Sequence, residues 1–88
     1  MAWTIEFDSG VEKDLKKLGR NAQKLILDYL ENRLASSEDP RIFGKPLRYK
    51  LAGCWRYRVE NYRIIAKIED DRLVILVVKV GHRKNIYD

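Results

Sequence analysis

Arg56, Arg58 and Arg63 lie on either side of the pair Glu60-Asn61. If that pair is the turn of a hairpin, Val59 stands opposite Tyr62, Arg58 opposite Arg63 and Arg56 opposite Ile65, and a four-residue loop keeps the same partners. Side chains alternate across a strand. The three arginines then share one face, while Trp55, Tyr57, Val59, Tyr62, Ile64 and Ala66 line the other and are expected in the core. Like charges placed directly opposite destabilise a strand pair by up to about 1 kcal/mol, so a sequence shaped by stability alone would avoid this arrangement. Guanidinium forks match phosphate oxygens two at a time, and the chemistry expected of the face is phosphate binding. The plainer alternative is a solvated face whose arginines splay into water or pair with acids elsewhere.

The tail His82-Arg83-Lys84, with Tyr87 beyond it, extends the cationic surface if the chain folds back; otherwise it is a frayed basic end. His82 is the only histidine. It can act as acid or base near neutral pH or stack on a base, but a lone histidine more often serves packing or surface. Trp55 and Tyr57 invite a base-stacking reading that their strand parity declines. Lys13, Lys16, Lys17, Arg20 and Lys24 read as the solvated side of helices.

These residues need a scaffold, and hydrophobic periodicity supplies one. Trp3, Ile5 and Phe7 alternate with polar neighbours as a short strand with one buried face. Ser9-Gly10-Val11-Glu12 reads as a capping box opening a helix whose apolar stripe is Val11, Leu15 and Leu18, with Gly19 as a left-handed C-cap. A second helix carries Ala22, Leu25, Ile26, Tyr29, Leu30 and Leu34 and ends at Ser36-Ser37-Glu38-Asp39-Pro40. Residues 41–51 show no sustained period and suit a connection or irregular edge. Cys54 to Val59, Tyr62 to Ile68 and Leu73 to Val80 read as a β-meander, and the unbroken apolar run Leu73–Val78 belongs centrally, covered on both faces. The expected fold class is α+β, ordered β-α-α-β-β-β: a small, mainly antiparallel sheet with a helical hairpin packed on one face.

Eighty-eight residues make one domain, 1–88, which buries only roughly 60% of its unfolded surface. Eighteen Lys and Arg against thirteen Asp and Glu leave a net charge of +5, which attracts nucleic acid or an acidic protein. Cys54, the single cysteine, has no intramolecular disulfide partner, and no Cys/His cluster has zinc spacing, so neither metal nor other cofactor is expected. The N-terminus lacks a signal peptide's pattern and no stretch approaches the ~20 apolar residues of a membrane span, so a cytoplasmic location without membrane contact is expected.

Element order and three local signatures resemble the RelE/ParE toxin superfamily from the first strand to the tail. The signatures are Leu47-Arg48-Tyr49-Lys50-Leu51, the hairpin Trp55-Arg56-Tyr57-Arg58-Val59-Glu60-Asn61-Tyr62-Arg63-Ile64, and Val80-Gly81-His82-Arg83-Lys84. The resemblance implies a toxin of a type II toxin-antitoxin system, of the RelE branch, an endoribonuclease that cuts mRNA in the ribosomal A site. Its partners would be the ribosome, mRNA and a cognate antitoxin, an acidic and partly disordered chain folding over the basic surface. The family's functional places fall on Arg56, Arg58, Arg63, Arg83 and Tyr87. Where the best-known members carry lysines on the first meander strand, this chain has arginines, poor proton shuttles but good charge stabilisers. The tail tyrosine also lies closer to Arg83 than in the prototype.

RNA can be cleaved by its own 2′-hydroxyl, leaving a 2′,3′-cyclic phosphate and a 5′-hydroxyl. The enzyme must turn the sugar in line, move protons and neutralise a doubly charged phosphorane. Arg58, Arg63 and Arg83 are the candidate stabilisers, and Tyr87 or an activated water the base, its phenol acidified by the arginine field. Arg56, Arg48, His82 and Lys84 are candidate RNA-binding residues. Two other readings fit a basic surface: a non-nuclease inhibitor of DNA gyrase, as in the ParE branch, and a non-catalytic RNA-binding module.

Overall fold

In the computed structural model, which describes residues 2–82, the chain runs through β1 (Thr4–Phe7), α1 (Val11–Leu18) and α2 (Arg20–Tyr29). A two-residue strand, β2 (Lys45–Pro46), precedes the meander β3 (Cys54–Val59), β4 (Tyr62–Glu69) and β5 (Val74–His82). The strands form one sheet in the order β1-β5-β4-β3-β2. β1 is parallel to β5, and the other neighbours are antiparallel. This is the expected α+β architecture, with an extra edge strand drawn from the segment whose sequence has no period.

One face of the sheet carries the main core. Val11, Ile26, Leu30 and Leu34 from the helical side meet Tyr57, Val59, Ile64, Ala66, Ile75, Val77 and Val80 from the strands. The other face has a smaller cluster, Leu47, Cys54 and Ile65, flanked by Leu51 and Val78. Residues 47–51 therefore provide the second cover that the apolar run of β5 demands, folded as a single 3-10 turn, Tyr49–Leu51.

Three local expectations are corrected. The capping box does not form: Gly10, at φ 94°, is the N-cap of α1, and the Ser9 amide donates to Asp8 Oδ1 at 2.9 Å. Turning out of β1 needs a left-handed residue, and only the glycine supplies it without strain. Gly19 is not a left-handed C-cap either; at φ 90° and ψ 171° it is a sharp corner joining α1 to α2, and Gln23 Nε2 reaches across it to the Leu15 carbonyl at 3.0 Å. Phe7 is 45% exposed because β1 is an edge strand that ends there.

The second helix ends in a π turn, Leu30–Leu34, closed by the Ala35 amide donating to the Leu30 carbonyl at 2.8 Å. Its buried residues Ile26, Leu30 and Leu34 are four apart. That spacing drifts around a regular α-helix of about 3.6 residues per turn. Widening the last turn cancels the drift and keeps all three at zero exposure.

Tyr57 ties the main core to residues 40–44. Its ring is fully buried and its hydroxyl donates to the Pro40 carbonyl at 3.0 Å. Gly44 packs flat on that ring: a Cβ built there would sit 2.7 Å from Tyr57 Cε1 and 3.0 Å from the Arg56 carbonyl oxygen. Neither neighbour can yield, so Gly44→Ala should cost about 1–3 kcal/mol of stability, a drop of some degrees in Tm measurable by calorimetry. Burial, and then the adjacent Tyr29 phenol, raise the pKa of Tyr57 far above its ordinary value of 10.0. The folded protein thus holds this proton more tightly than the unfolded chain. Stability from Tyr57 is intact below pH 10 and falls as pH climbs from there through the raised value. Tyr57→Phe should cost about 0.5–1.5 kcal/mol at neutral pH and flatten the alkaline fall in urea-unfolding free energy.

Candidate nucleic-acid interface and active site

The hairpin register is the one the turn predicts: Val59 opposite Tyr62, Arg58 opposite Arg63, Arg56 opposite Ile65. Glu60 makes the tight turn by taking φ 54°. Arg56, Arg58 and Arg63 therefore lie on the sheet face away from the helices. β2 adds Lys45 directly opposite Arg56, so two cross-strand pairs on this face join like charges.

Arg56 is the most constrained of these cations, at 7% exposure. Burial first, then the Arg63 and Arg58 guanidiniums, press its pKa below the ordinary arginine value, while a guanidinium of this kind stays charged at neutral pH. Three hollows succeed one another along the face, each sharing lining residues with the next. The largest, about 460 Å³, is lined by Lys45, Pro46, Leu47, Arg48, Tyr49 and Arg56. A second, about 140 Å³, shares Lys45 and Arg56 and adds Arg58. A third, about 80 Å³, shares Arg58 and adds Arg63, Tyr62 and Glu60. The result is a trough leading from Arg48 past Arg56 and Arg58 to Arg63, with no acid lining its two larger hollows.

Four acidic residues are engaged elsewhere. Arg41 forms a bidentate pair with Asp70 and a contact to Asp39 at 3.2 Å. Arg72 bridges Glu69 at 2.7 Å and Glu6 at 3.5 Å. These pairs gather near the turn between β4 and β5, at the opposite end of the hairpin from Glu60.

The sequence-derived candidates divide as follows. Arg48, Arg56, Arg58 and Arg63 are brought together in the trough. His82 pairs across the sheet with Tyr62, and the two rings meet edge to face at 5.9 Å between centroids. That places His82 on the helical side of the sheet, not on the arginine face. Arg83, Lys84 and Tyr87 lie outside the described residues. Lys45 was missed, because Gly44-Lys45-Pro46 is too short to show a period; the signal available was a proline beside a lysine, a combination suited to a protected edge strand.

A small α+β protein with a cationic trough on the sheet face away from its helices has, by fold and surface, the character of a protein directed at anionic partners. Residues 5–87 match the family model described as the ParE toxin of the type II toxin-antitoxin system parDE. Toxin RelG of Mycobacterium tuberculosis is 32% identical over 87 residues, covering 99% of this chain and 98% of the relative. The mRNA interferase toxin RelE of Escherichia coli is 29% identical over 86 residues, covering 96% and 86%. The solved toxin-antitoxin complex RelBE2 of M. tuberculosis superposes with a TM-score of 0.86 at 28% identity, covering 97% of this chain and 95% of that one. The chain belongs to the RelE/ParE toxin superfamily, and these relatives place it in the RelE branch.

If the like-charge pairs are maintained for binding, removing one should stabilise the fold. Arg58→Thr should raise the urea-unfolding free energy by a few tenths to about 1 kcal/mol at low ionic strength. The gain should shrink as salt screens the repulsion; a loss of stability at low salt would mean that the arginines support one another through contacts to other groups.

Proposed function

We propose that this protein is the toxin of a type II toxin-antitoxin pair and cuts mRNA in the ribosomal A site. The observation that carries the reading is the cationic trough in which Lys45, Arg48, Arg56 and Arg58, in hollows that no acid lines, lead to Arg63 beside Glu60. Relatives named as an mRNA interferase and as a toxin solved with its antitoxin support it. Work on ribosomes implies a cytoplasmic protein, and among the described residues no helix is long and apolar enough to cross a membrane.

In this reading the 2′-oxygen attacks the adjacent phosphorus, the bond to the 5′-oxygen breaks, and the products are a 2′,3′-cyclic phosphate and a 5′-hydroxyl. Because the nucleophile belongs to the RNA, the protein has to orient it and stabilise charge. Arg58 and Arg63, directly opposite one another, contact the phosphorane oxygens, joined by Arg83 from the tail. Tyr87 takes the 2′-proton, and water supplies the proton that makes the departing 5′-oxygen a hydroxyl. Arg56, Arg48 and Lys45 hold neighbouring phosphates, with Lys84 extending that contact. His82, on the Tyr62 side of the sheet, makes no phosphate contact. An acidic antitoxin segment silences the protein by covering the same trough.

Protein added to programmed ribosomes should cut within the A-site codon, leave cyclic phosphate ends and fail on mRNA carrying a 2′-deoxy sugar at the scissile nucleotide. Arg63→Ala and Arg83→Ala should each slow single-turnover cutting at saturating ribosome by roughly 10² or more, with much smaller changes in ribosome affinity. If only affinity falls, both arginines position backbone and do not stabilise the transition state. Intact mRNA together with inhibited gyrase supercoiling would assign the protein to the other branch of the superfamily.

A further inference from the structure

Tyr49 is 88% exposed, and its backbone is held at φ 58°, a left-handed conformation that a bulky residue rarely adopts. Such outliers persist where the surroundings fix them, and they gather at sites of function. Here the surroundings are plain. Leu47 and Leu51, on either side, are drawn into the smaller core, and the turn between them is closed by the Leu51 amide donating to the Arg48 carbonyl at 3.2 Å and the Ala52 amide to the Tyr49 carbonyl at 3.1 Å. The turn is clamped at both ends and holds its aromatic ring in solvent. That ring lines the same 460 Å³ hollow as Lys45, Arg48 and Arg56.

We propose that Tyr49 is a stacking platform for one base of the mRNA, next to the phosphates held by Arg56, Arg48 and Lys45. A flat aromatic face beside a row of cations is the composition of a single-strand RNA site: the cations track the backbone and the ring takes a base. The inference rests on the proposed RNA-directed function and adds a residue that reads the strand outside the reacting phosphate. Stability gives no reason for the ring. A glycine fits φ 58° without strain, and an exposed side chain adds little to the core.

The test uses Tyr49→Gly, Tyr49→Phe and wild type. Tyr49→Gly should melt no lower than wild type, yet bind programmed ribosomes carrying 2′-deoxy-blocked mRNA at least about five-fold more weakly, the lower end of base-aromatic stacking. Tyr49→Phe, which keeps the ring, should bind like wild type. An abasic site at one mRNA position should erase the difference between wild type and Tyr49→Gly. A ring signal that is absent from Tyr49→Gly should move upfield in NMR spectra when a single-stranded adenosine hexamer is added, a readout independent of cutting. Equal binding by wild type and Tyr49→Gly, or a Tyr49 ring signal unmoved by the hexamer, would overturn the assignment. If Tyr49→Gly weakens only antitoxin binding, the ring is a protein contact and the proposal also fails. Absence of cutting by wild type, with the ring shift still present, would overturn the nuclease reading and leave the platform standing.

Discussion

Parity in the β3–β4 hairpin is the constraint on which the rest depends. Side chains repeat every two residues along a strand, so a slip of one position would exchange the two faces of this pair. Tyr57, Val59 and Ile64 would leave the helical core, and Arg56, Arg58 and Arg63 would enter it. Burying unpaired guanidiniums among Ile26, Leu30 and Leu34 costs far more than a domain of this size can offset. The correct register is held from two sides, by the tight turn at Glu60 and by the Tyr57 hydroxyl anchored on the Pro40 carbonyl. The apolar contacts of one face thus fix the spacing of the cations on the other.

The sheet then separates its charges along its length. Near the β4–β5 turn, Arg41 and Arg72 are matched with Asp70, Asp39, Glu69 and Glu6. These pairs are solvent-accessible and add little stability, but they occupy four carboxylates. At the other end the lysine and arginines of the trough face one another across strands, and desolvation works against Arg56 as well. A field built this way favours an incoming anion at some cost in stability. The cover formed by residues 47–51 shapes it further, since Leu47 and Leu51 close the smaller core while Arg48 and Tyr49 line the hollow above.

Period-two and helical patterns made most of this legible in the sequence. The hairpin partners of Arg56, Arg58 and Arg63 followed from counting outward from Glu60-Asn61, and the helical hairpin followed from its apolar stripes. Features that depend on tertiary closure did not. The left-handed Gly10 displaced the capping box at Ser9, because the direction of the chain leaving β1 is set by where α1 must pack. Lys45 belongs to a two-residue strand, too short for any period. The burial of Arg56 depends on a cover whose residues are irregular in sequence. The side taken by His82 is not legible either, because the apolar pattern stops at Val80 while β5 runs on to His82.

The side on which His82 falls has a specific physical origin. β4 pairs Ile65 with Lys79 but Ala66 with Val77, so Val78 is an extra residue on β5, a β-bulge. Without it, Lys79 would stand opposite Ile64 on the buried face, and Val80 would stand beside Arg63 on the cationic one. With it, Val80 joins Ile64 in the main core, Val78 turns to the smaller core, and His82 meets Tyr62. Gly81 falls opposite Arg63. Arg63 therefore has the Arg58 guanidinium on one flank and, on the other, a residue with no side chain. One inserted residue thus decides which β5 residue stands across from Arg63, and simultaneously keeps a lysine out of the core.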